Sequence, residues 1–157
     1  MTSSQTRARL GSLSPRKEAV RIFYEEMWDK ADLSLIPKLF HRDFTFRGSL
    51  GPVLIGHEQF GQYVSWLTSN LRSYTSDIDL LVEEGDVVSG QLRFHGYHDG
   101  GLFFGQPPRG QHVAWSGTPF FTFKGDLIQD LWVLGDIYGV LGQLGVHLPA
   151  PGFALIS

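Results

Sequence analysis

The sequence predicts an α+β fold in which three helices come first and long β-strands follow. Up to residue 73, apolar residues recur at spacings of three and four, and from Tyr74 onward they alternate with a period of two. Helices and strands in separate parts of a chain are typical of α+β domains. Because a twisted antiparallel sheet curls, we expect a cone-shaped curved antiparallel sheet. The three N-terminal helices should cover its concave face and leave a cavity at one end.

The helices begin at recognisable capping sequences. Ser14 is a suitable N-cap and Pro15 suits the first helical position. A short second helix is predicted after Asp32, provided that Pro37 lies in its first turn. Its inward-facing residues should be Leu35, Ile36, Leu39 and Phe40. A third helix is predicted over residues 57–74. The apolar face of the first helix comprises Val20, Phe23, Tyr24, Met27 and Trp28.

The second half of the chain predicts strands joined by tight turns. A short strand is expected over residues 43–48, and four long strands over residues 73–85, 86–100, 111–125 and 126–136. Gly85 and Gly125 supply the positive φ that two hairpin turns need. A short helix should follow over residues 137–145. We predict a mobile tail over residues 1–13, one domain over residues 14–147 and an irregular tail over residues 148–157.

Composition excludes several classes of function. The chain has 157 residues, a net charge of -3 and no cysteine, so disulfides and thiolate metal sites are excluded and a nucleic-acid partner is not expected. No secretory signal or membrane span is recognisable, and we expect a cytoplasmic protein. The aromatic content of 13% is high, and the charged content of 18% is low for a typical soluble domain. A pocket for a small hydrophobic or aromatic ligand, or a dimer interface, would account for it.

Asp136 lies in an otherwise apolar stretch and admits two interpretations. Strand alternation places it on one face with Trp132 and Leu134. If that face is concave, the carboxyl group lies in an apolar pocket and can act as a general acid or base. Alternatively, Asp136 is the N-cap of the helix that follows and accepts its backbone N–H groups.

Two other strands carry polar side chains on one face. Arg93 and His95 alternate with Leu92 and Phe94, so they line either a polar pocket or a solvated surface. His98 follows His95 by three residues and should point to the opposite face, which is poor geometry for a shared metal ion. We therefore expect no metal.

The segment from Arg93 to Gly145 resembles the SnoaL-like polyketide cyclase (ester cyclase) family. The matching features are the arginine strand, "GYHDG", "GQPPRG", "WSG", "KGDLIQDLW", and Asp136 followed by "QLG". The resemblance extends over about residues 15 to 145. Two residues depart from the family pattern, since Arg109 stands where a threonine is usual and Asp130 where a glutamate is usual.

The resemblance implies the nuclear transport factor 2-like fold, a cystatin-like α+β barrel, and a homodimer formed through the sheet. It also implies a cofactor-free acid/base reaction that closes a ring in a polyketide-like ester. By this resemblance Asp136 would be the acid/base residue. Strand alternation, and not the resemblance, makes His95 a second candidate catalytic residue, which would hold the enolate oxygen. Arg93, Trp115, Trp132, Arg47 and Tyr24 are the predicted substrate-binding residues.

Other functions remain open on the sequence alone. An isomerase, a dehydratase or an epoxide hydrolase on this fold would use a similar pocket. A dimeric module that binds a small molecule without catalysis is the alternative from a different class, because a fold does not determine a function. The environment of Asp136 should distinguish an enzyme from a binding module. An enzyme needs the Asp136 carboxyl group at a closed apolar cavity, whereas in a binding module Asp136 can serve as a helix cap alone.

Overall fold

Four α-helices and six β-strands have defined bounds in a computed structural model that describes Thr6, residues 9–49 and residues 51–156. The helices are α1 (Pro15–Ile22), α2 (Ile36–Leu39), α3 (Gly56–Asn70) and α4 (Ile137–Gln143). The strands are β1 (Phe40–Arg47), β2 (Leu54–Ile55), β3 (Leu71–Glu84), β4 (Val87–His98), β5 (Gln111–Lys124) and β6 (Leu127–Gly135). The predicted α+β class is confirmed.

Helix α1 starts as predicted and ends in an unusual turn. The side chain of Ser14 accepts a hydrogen bond from the Lys17 N–H at 3.2 Å, and Pro15 occupies the first helical position. The helix continues directly into a π-helical turn over Phe23–Trp28. Its predicted apolar face is buried from Val20 to Trp28. Such π-turns occur frequently at functional sites, and here the turn carries residues that line the cavity described below.

Helix α2 is shorter than the sequence indicated. Asp32 caps a 3-10 turn over Leu33–Leu35 by accepting the Ser34 N–H at 3.1 Å, and Pro37 lies in the first turn of α2. Phe40 was expected to lie in the helix, but it begins β1. The ring of Phe40 is still buried, so the prediction of its burial holds although the element differs.

The six strands form one sheet in the order β2-β1-β6-β5-β4-β3. Strands β3 to β6 are joined antiparallel, and Gly85 and Gly125 take φ values of 57° and 65° in the two hairpin turns. The predicted curved antiparallel sheet is confirmed, with one exception: strand β1 joins β6 in parallel. Local turn geometry does not set this pairing, because about half of the chain separates the two strands.

The sheet has two faces of different character. On β4, Leu92 and Phe94 are buried on the inner face, which the helices cover, whereas Arg93 lies on the outer face. On β6, Leu131 is buried on the inner face and Trp132 is 45% exposed on the outer face. The core between the inner face and the helices consists largely of aromatic rings, including Phe23, Phe40, Phe44, Phe60 and Phe121.

At the N-terminal end, contacts with the rest of the fold extend beyond the predicted domain of residues 14–147. Residues 1–5, 7 and 8 of the predicted mobile tail lie outside the described residues. Thr6, however, is buried and donates a hydrogen bond to Glu25, and Arg9 donates to Asp79 at 2.7 Å. At the other end, residues 148–156 have no regular structure. Within the described ranges, no helix is long and apolar enough to cross a membrane.

Candidate functional site

A cavity lies between the inner face of the sheet, the π-helical turn and α3. Its lining contains aromatic rings, aliphatic side chains, glycines and one serine. Among the described residues, no carboxylate, imidazole, lysine or arginine lines it. Its rings include those of Phe23, Tyr24, Trp28, Tyr74, Phe94 and Trp115. An uncharged lining of this kind suits a neutral apolar ligand with a few polar atoms.

The cavity is a narrow cleft. Its volume is about 60 Å³. The rings of Tyr74 and Phe94 are stacked with their centroids 6.4 Å apart, and those of Phe94 and Trp115 are 5.7 Å apart. A flat ligand fits a narrow cleft with ring walls better than a bulky one does. The rings must still separate to admit a bicyclic molecule.

Two tyrosine hydroxyls supply polarity at the buried part of the cavity. Tyr24 is 2% exposed, and its hydroxyl has no hydrogen-bond partner among the described residues. Burial raises the pKa of Tyr24 and of Tyr74 well above the usual value of 10.0. Both phenols therefore stay protonated and remain hydrogen-bond donors at any physiological pH.

Asp29 is a partly buried carboxyl group that the sequence did not single out. It follows the π-helical turn, and its Oδ1 accepts the backbone N–H of Ser76 on β3 at 2.9 Å. Burial raises its pKa from 3.8 to about 7, although the hydrogen bonds from Ser76 oppose the change. Its negative charge also contributes to the raised pKa of Tyr74, so the two groups lie near each other. Asp29 is thus a carboxyl that can hold a proton near neutral pH beside the cavity wall.

The mouth of the cavity is held by hydrogen bonds between β6 and the loop after β1. Ser49 accepts the backbone N–H of Gly135 and donates to the carbonyl oxygen of Val133 at 3.1 Å. A Cβ on Gly135 would lie 3.3 Å from Ser49 Oγ and 3.4 Å from the indole ring of Trp115. Glycine at this position therefore lets the ring of Trp115 pack directly against the strand backbone.

A tight turn brings two phenylalanines to the cavity. Phe103 and Gln106 exchange backbone hydrogen bonds of 3.1 and 3.0 Å around Phe104 and Gly105. These two central residues have φ values of 51° and 74°, the signs that a type I′ turn needs. A phenylalanine in the left-handed region costs about 1–2 kcal/mol. The signal in the sequence that could have indicated this turn is "FFG", an aromatic pair before a glycine.

Asp136 lies at the rim of the cavity and not within it. It is exposed, and it is the N-cap of α4, where Oδ1 accepts the Gly139 N–H at 2.9 Å. Strand alternation grouped it with Trp132 and Leu134, but that face is the outer one, so the condition for a carboxyl group in an apolar pocket is not met there. Its chain neighbours Gly135 and Ile137 both line the cavity. The cap geometry is thus as predicted, and the acid/base role remains a prediction.

Arg93 and His95 also lie away from the cavity. Arg93 donates two hydrogen bonds to Asp79, at 2.8 and 2.9 Å, on the outer face. His95 lies beside it, with Nε2 2.9 Å from Thr75 Oγ1 and 3.6 Å from Asp77. The expectation that both residues line the pocket is wrong, because Phe94 between them points inward and alternation turns its neighbours outward.

Of the other predicted binding residues, two line the cavity and two lie outside it. Tyr24 and Trp115 line the cavity. Trp132 stacks on Phe120 on the outer face, with their ring centroids 5.7 Å apart, and Arg47 is exposed at the end of β1. The structure therefore brings two of the seven predicted site residues into the cavity wall and one to its rim.

His98 and Arg109 belong to the family-like segment but not to the cavity wall. His98 is fully buried, and its Nε2 donates to the carbonyl oxygen of Gly101 at 2.8 Å. The guanidinium of Arg109 donates to the carbonyl oxygen of Leu144, just after α4, at 3.4 Å. Within the described ranges, no three His, Asp or Glu side chains converge in a way that could hold a metal ion.

Comparisons with known proteins agree with this fold. The family model of SnoaL-like polyketide cyclase matches residues 18–144. A structure from Jannaschia sp. CCS1, assigned as a SnoaL-like polyketide cyclase, is 23% identical with a TM-score of 0.77 and covers 86% of this chain and 94% of its own. A structure from Acidithiobacillus ferrooxidans, assigned as a polyketide cyclase, is 23% identical with a TM-score of 0.77 and covers 87% and 98%.

A third similar structure carries a different assignment. AclR from Streptomyces galilaeus, assigned as a hydroxylase, is 20% identical with a TM-score of 0.75 and covers 90% of this chain and 91% of its own. At these identities the structural likeness shows the fold alone. A search of curated protein sequences found no match.

Proposed function

Because the chain belongs to the SnoaL-like polyketide cyclase family, we propose that it is a cofactor-independent cyclase that closes a ring in a polyketide-like ester. The observation that carries the proposal is the narrow cavity with aromatic walls and no charged side chain in its lining. A partly cyclised polyketide ester is flat, largely apolar and neutral, and it carries several carbonyl oxygens. These properties match the shape and the uncharged lining of the cavity.

The proposed reaction needs only a base, an acid and a folded substrate. A carbon between two carbonyl groups loses a proton to the base, and the electron pair left behind forms an enolate. The enolate carbon attacks a second carbonyl of the same molecule, a C–C bond forms, and the protonated base returns its proton to the new alkoxide. The cavity contributes by holding the two reacting carbons close together.

Asp136 is the acid/base residue that we propose, as the family resemblance implies. Its position supports the proposal, since its two neighbours in the chain line the cavity and no carboxylate or imidazole of the described residues lies in the lining itself. To act, the carboxylate has to leave the Gly139 N–H, and a rotation about its χ1 would do this. Arg93 and His95 are not part of the proposal, because they lie on the outer face.

The substitution Asp136→Asn tests this role, because an amide of the same shape keeps the cap acceptor but cannot take a proton. We expect the rate of ring closure to fall by about a hundredfold or more with an aromatic polyketide methyl ester that bears a 1,3-dicarbonyl arm. Asp126→Asn, in the exposed β5–β6 turn, is the matched control and should keep the wild-type rate. A rate for Asp136→Asn within a few-fold of the wild type would remove Asp136 from the mechanism.

A binding module without catalysis is the second candidate function. One observation favours it: among the described residues, the Asp136 carboxylate accepts a hydrogen bond only from a helix N–H, as a purely structural cap would. Under this alternative the same ester binds to the wild type and to Asp136→Asn with equal affinity and is recovered unchanged from both. Mass spectrometry of the recovered ester distinguishes the two functions.

We also propose that two copies of the chain associate through the outer face of the sheet. The support is a group of exposed apolar side chains on that face, namely Leu80, Val82, Val87, Phe120, Trp132 and Leu134. Apolar patches of this kind mark interaction surfaces. Light scattering should give the mass of a dimer for the wild type and of a monomer for Trp132→Asp. A monomeric wild type would contradict this part of the proposal.

A further inference from the structure

One hydroxyl group in the cavity is a donor without an acceptor. The Oη atom of Tyr24 is buried, and no described residue accepts a hydrogen bond from it. Its surroundings are rings, since the ring of Phe23 lies 4.8 Å away in an edge-to-face contact and that of Phe94 lies 5.9 Å away. Almost all buried polar groups in proteins are hydrogen-bonded, so each exception calls for an explanation.

A second hydroxyl lies in the same region of the cavity. Tyr74 on β3 stacks on Phe94, which also contacts Tyr24. The charge that the Tyr24 phenol would carry acts on Tyr74, so the two groups lie near each other. Both residues line the cavity. Tyr63 lines the cavity too, and its charge would also act on Tyr74. Neutral tyrosine hydroxyls therefore lie near one another in this part of a largely apolar cavity.

We infer that Tyr24 is a specificity-determining residue whose hydroxyl donates a hydrogen bond to a carbonyl oxygen of the ligand, with Tyr74 lining the same part of the cavity. The inference rests on the proposed function only in that a ligand occupies this cavity. It names the chemical class of that ligand: a flat aromatic ketone or ester, in preference to a hydrocarbon of the same shape.

The same contact has a consequence for ring closure. When the carbon beside this carbonyl loses its proton, negative charge develops on the oxygen that Tyr24 contacts. A hydrogen bond to a charged oxygen is shorter and stronger than one to a neutral oxygen. Tyr24 therefore stabilises the enolate more than the ketone, without giving up its own proton.

A pair of probes isolates this hydrogen bond. 1-Tetralone and tetralin have the same bicyclic skeleton and differ at one carbon, which carries an oxygen only in the ketone. Quenching of tryptophan fluorescence measures the affinity of each, because Trp28 and Trp115 line the cavity. The variants are Tyr24→Phe and, as a matched control, Tyr97→Phe, which removes the same atom from an exposed tyrosine on the outer face.

We expect the wild type and Tyr97→Phe to bind 1-tetralone more tightly than tetralin. Tyr24→Phe should lose about 3- to 10-fold in affinity for 1-tetralone and nothing for tetralin, the size of one hydrogen bond. The infrared carbonyl band of bound 1-tetralone should lie at lower frequency in the wild type and return toward its position in an apolar solvent in Tyr24→Phe. The unliganded variant should melt at the same temperature as the wild type or higher, since it no longer buries an unpaired donor.

Different failures have different meanings. Equal binding of both probes to the wild type would overturn the inference while leaving the cavity as the ligand site. A Tyr24→Phe variant that melts lower and weakens both probes equally would show that the hydroxyl is structural, which also overturns it. Failure of the wild type to bind either probe would contradict the proposed ligand site itself.

Discussion

The two faces of the sheet are built from alternate residues of the same strands, yet they have opposite character. The inner face of β4 carries Leu92 and Phe94, and the outer face carries Arg93 and His95. The inner face forms the wall of a cavity lined by rings, while the outer face carries exposed ion pairs and exposed apolar side chains. Since a strand turns each successive side chain to the other face, neighbouring residues are natural matched pairs for experiments.

The largest difference between the faces should appear in stability. Phe121 is fully buried in the core, whereas Phe120 is 39% exposed on the outer face. We expect Phe121→Ala to lower the free energy of unfolding by about 3–5 kcal/mol and Phe120→Ala by about 1 kcal/mol. Chemical denaturation of dilute protein, where association contributes little, measures both. Equal costs would mean that the two faces have been assigned incorrectly.

A smaller effect on the free energy of unfolding should come from the partly buried carboxyl group of Asp29. Because its pKa is raised from 3.8 to about 7 in the folded chain, the folded state binds more protons than the unfolded state between these values. Its contribution is therefore most favourable below pH 3.8 and is lost as the pH rises to about 7. Asp29→Asn keeps an acceptor for the Ser76 N–H and removes the charge.

We expect Asp29→Asn to stabilise the chain by about 2 kcal/mol at pH 8 and to have little effect at pH 4. This value is about half of the free energy that corresponds to the full pKa change, because the residue is only partly buried. Urea unfolding across this pH range measures the effect. A variant that is destabilised at pH 8 would show that the charged form makes a favourable contact, which would contradict the assignment.

The two faces should also differ in ligand binding. Trp115 lines the cavity, and Trp132 lies on the outer face. We expect Trp115→Ala to weaken binding of 1-tetralone by about tenfold, because it removes one ring wall. Trp132→Ala should leave the affinity unchanged. Calorimetric titration measures both variants, and the reverse order of effects would move the ligand site to the outer face.

The smallest effect is expected for an ion pair on the outer face. Arg93 forms two hydrogen bonds with Asp79 and holds the pKa of that carboxyl below its usual value. Exposed pairs of this kind contribute less than about 1 kcal/mol. Arg93→Ala should therefore change stability by less than this amount and leave 1-tetralone binding unaltered. A loss of binding would restore Arg93 to the ligand site.

The sequence predicted the alternation on the strands but not always which face is inside. On β4 the polar residues identified the outer face, and the prediction that placed Arg93 and His95 in the pocket departed from that signal. On β6 both faces are apolar, so Trp132 and Leu134 could not be distinguished from Leu131 and Val133 by pattern. Only the packing of the helices decides between the two faces.

Other features of the site depend on contacts between distant parts of the chain. Asp29 is followed in sequence by polar residues, and its burial arises from contact with Ser76, 47 positions away. The turn at Phe104 and Gly105 needs a left-handed phenylalanine, which local propensity disfavours. By contrast, the capping role of Asp136 and the apolar face around Tyr24 follow from local spacing, and both were predicted from it.

The location of a bound ligand tests the central claim most directly. We expect an NMR experiment with 1-tetralone to show nuclear Overhauser effects from the ligand to the ring of Phe94 and to the methyl groups of Val133 and Val140, which line the cavity. Effects to Leu134 and Val82 should be missing, because these side chains lie on the outer face. Contacts of the ligand with Leu134 and Val82, and none with Phe94, would contradict the account.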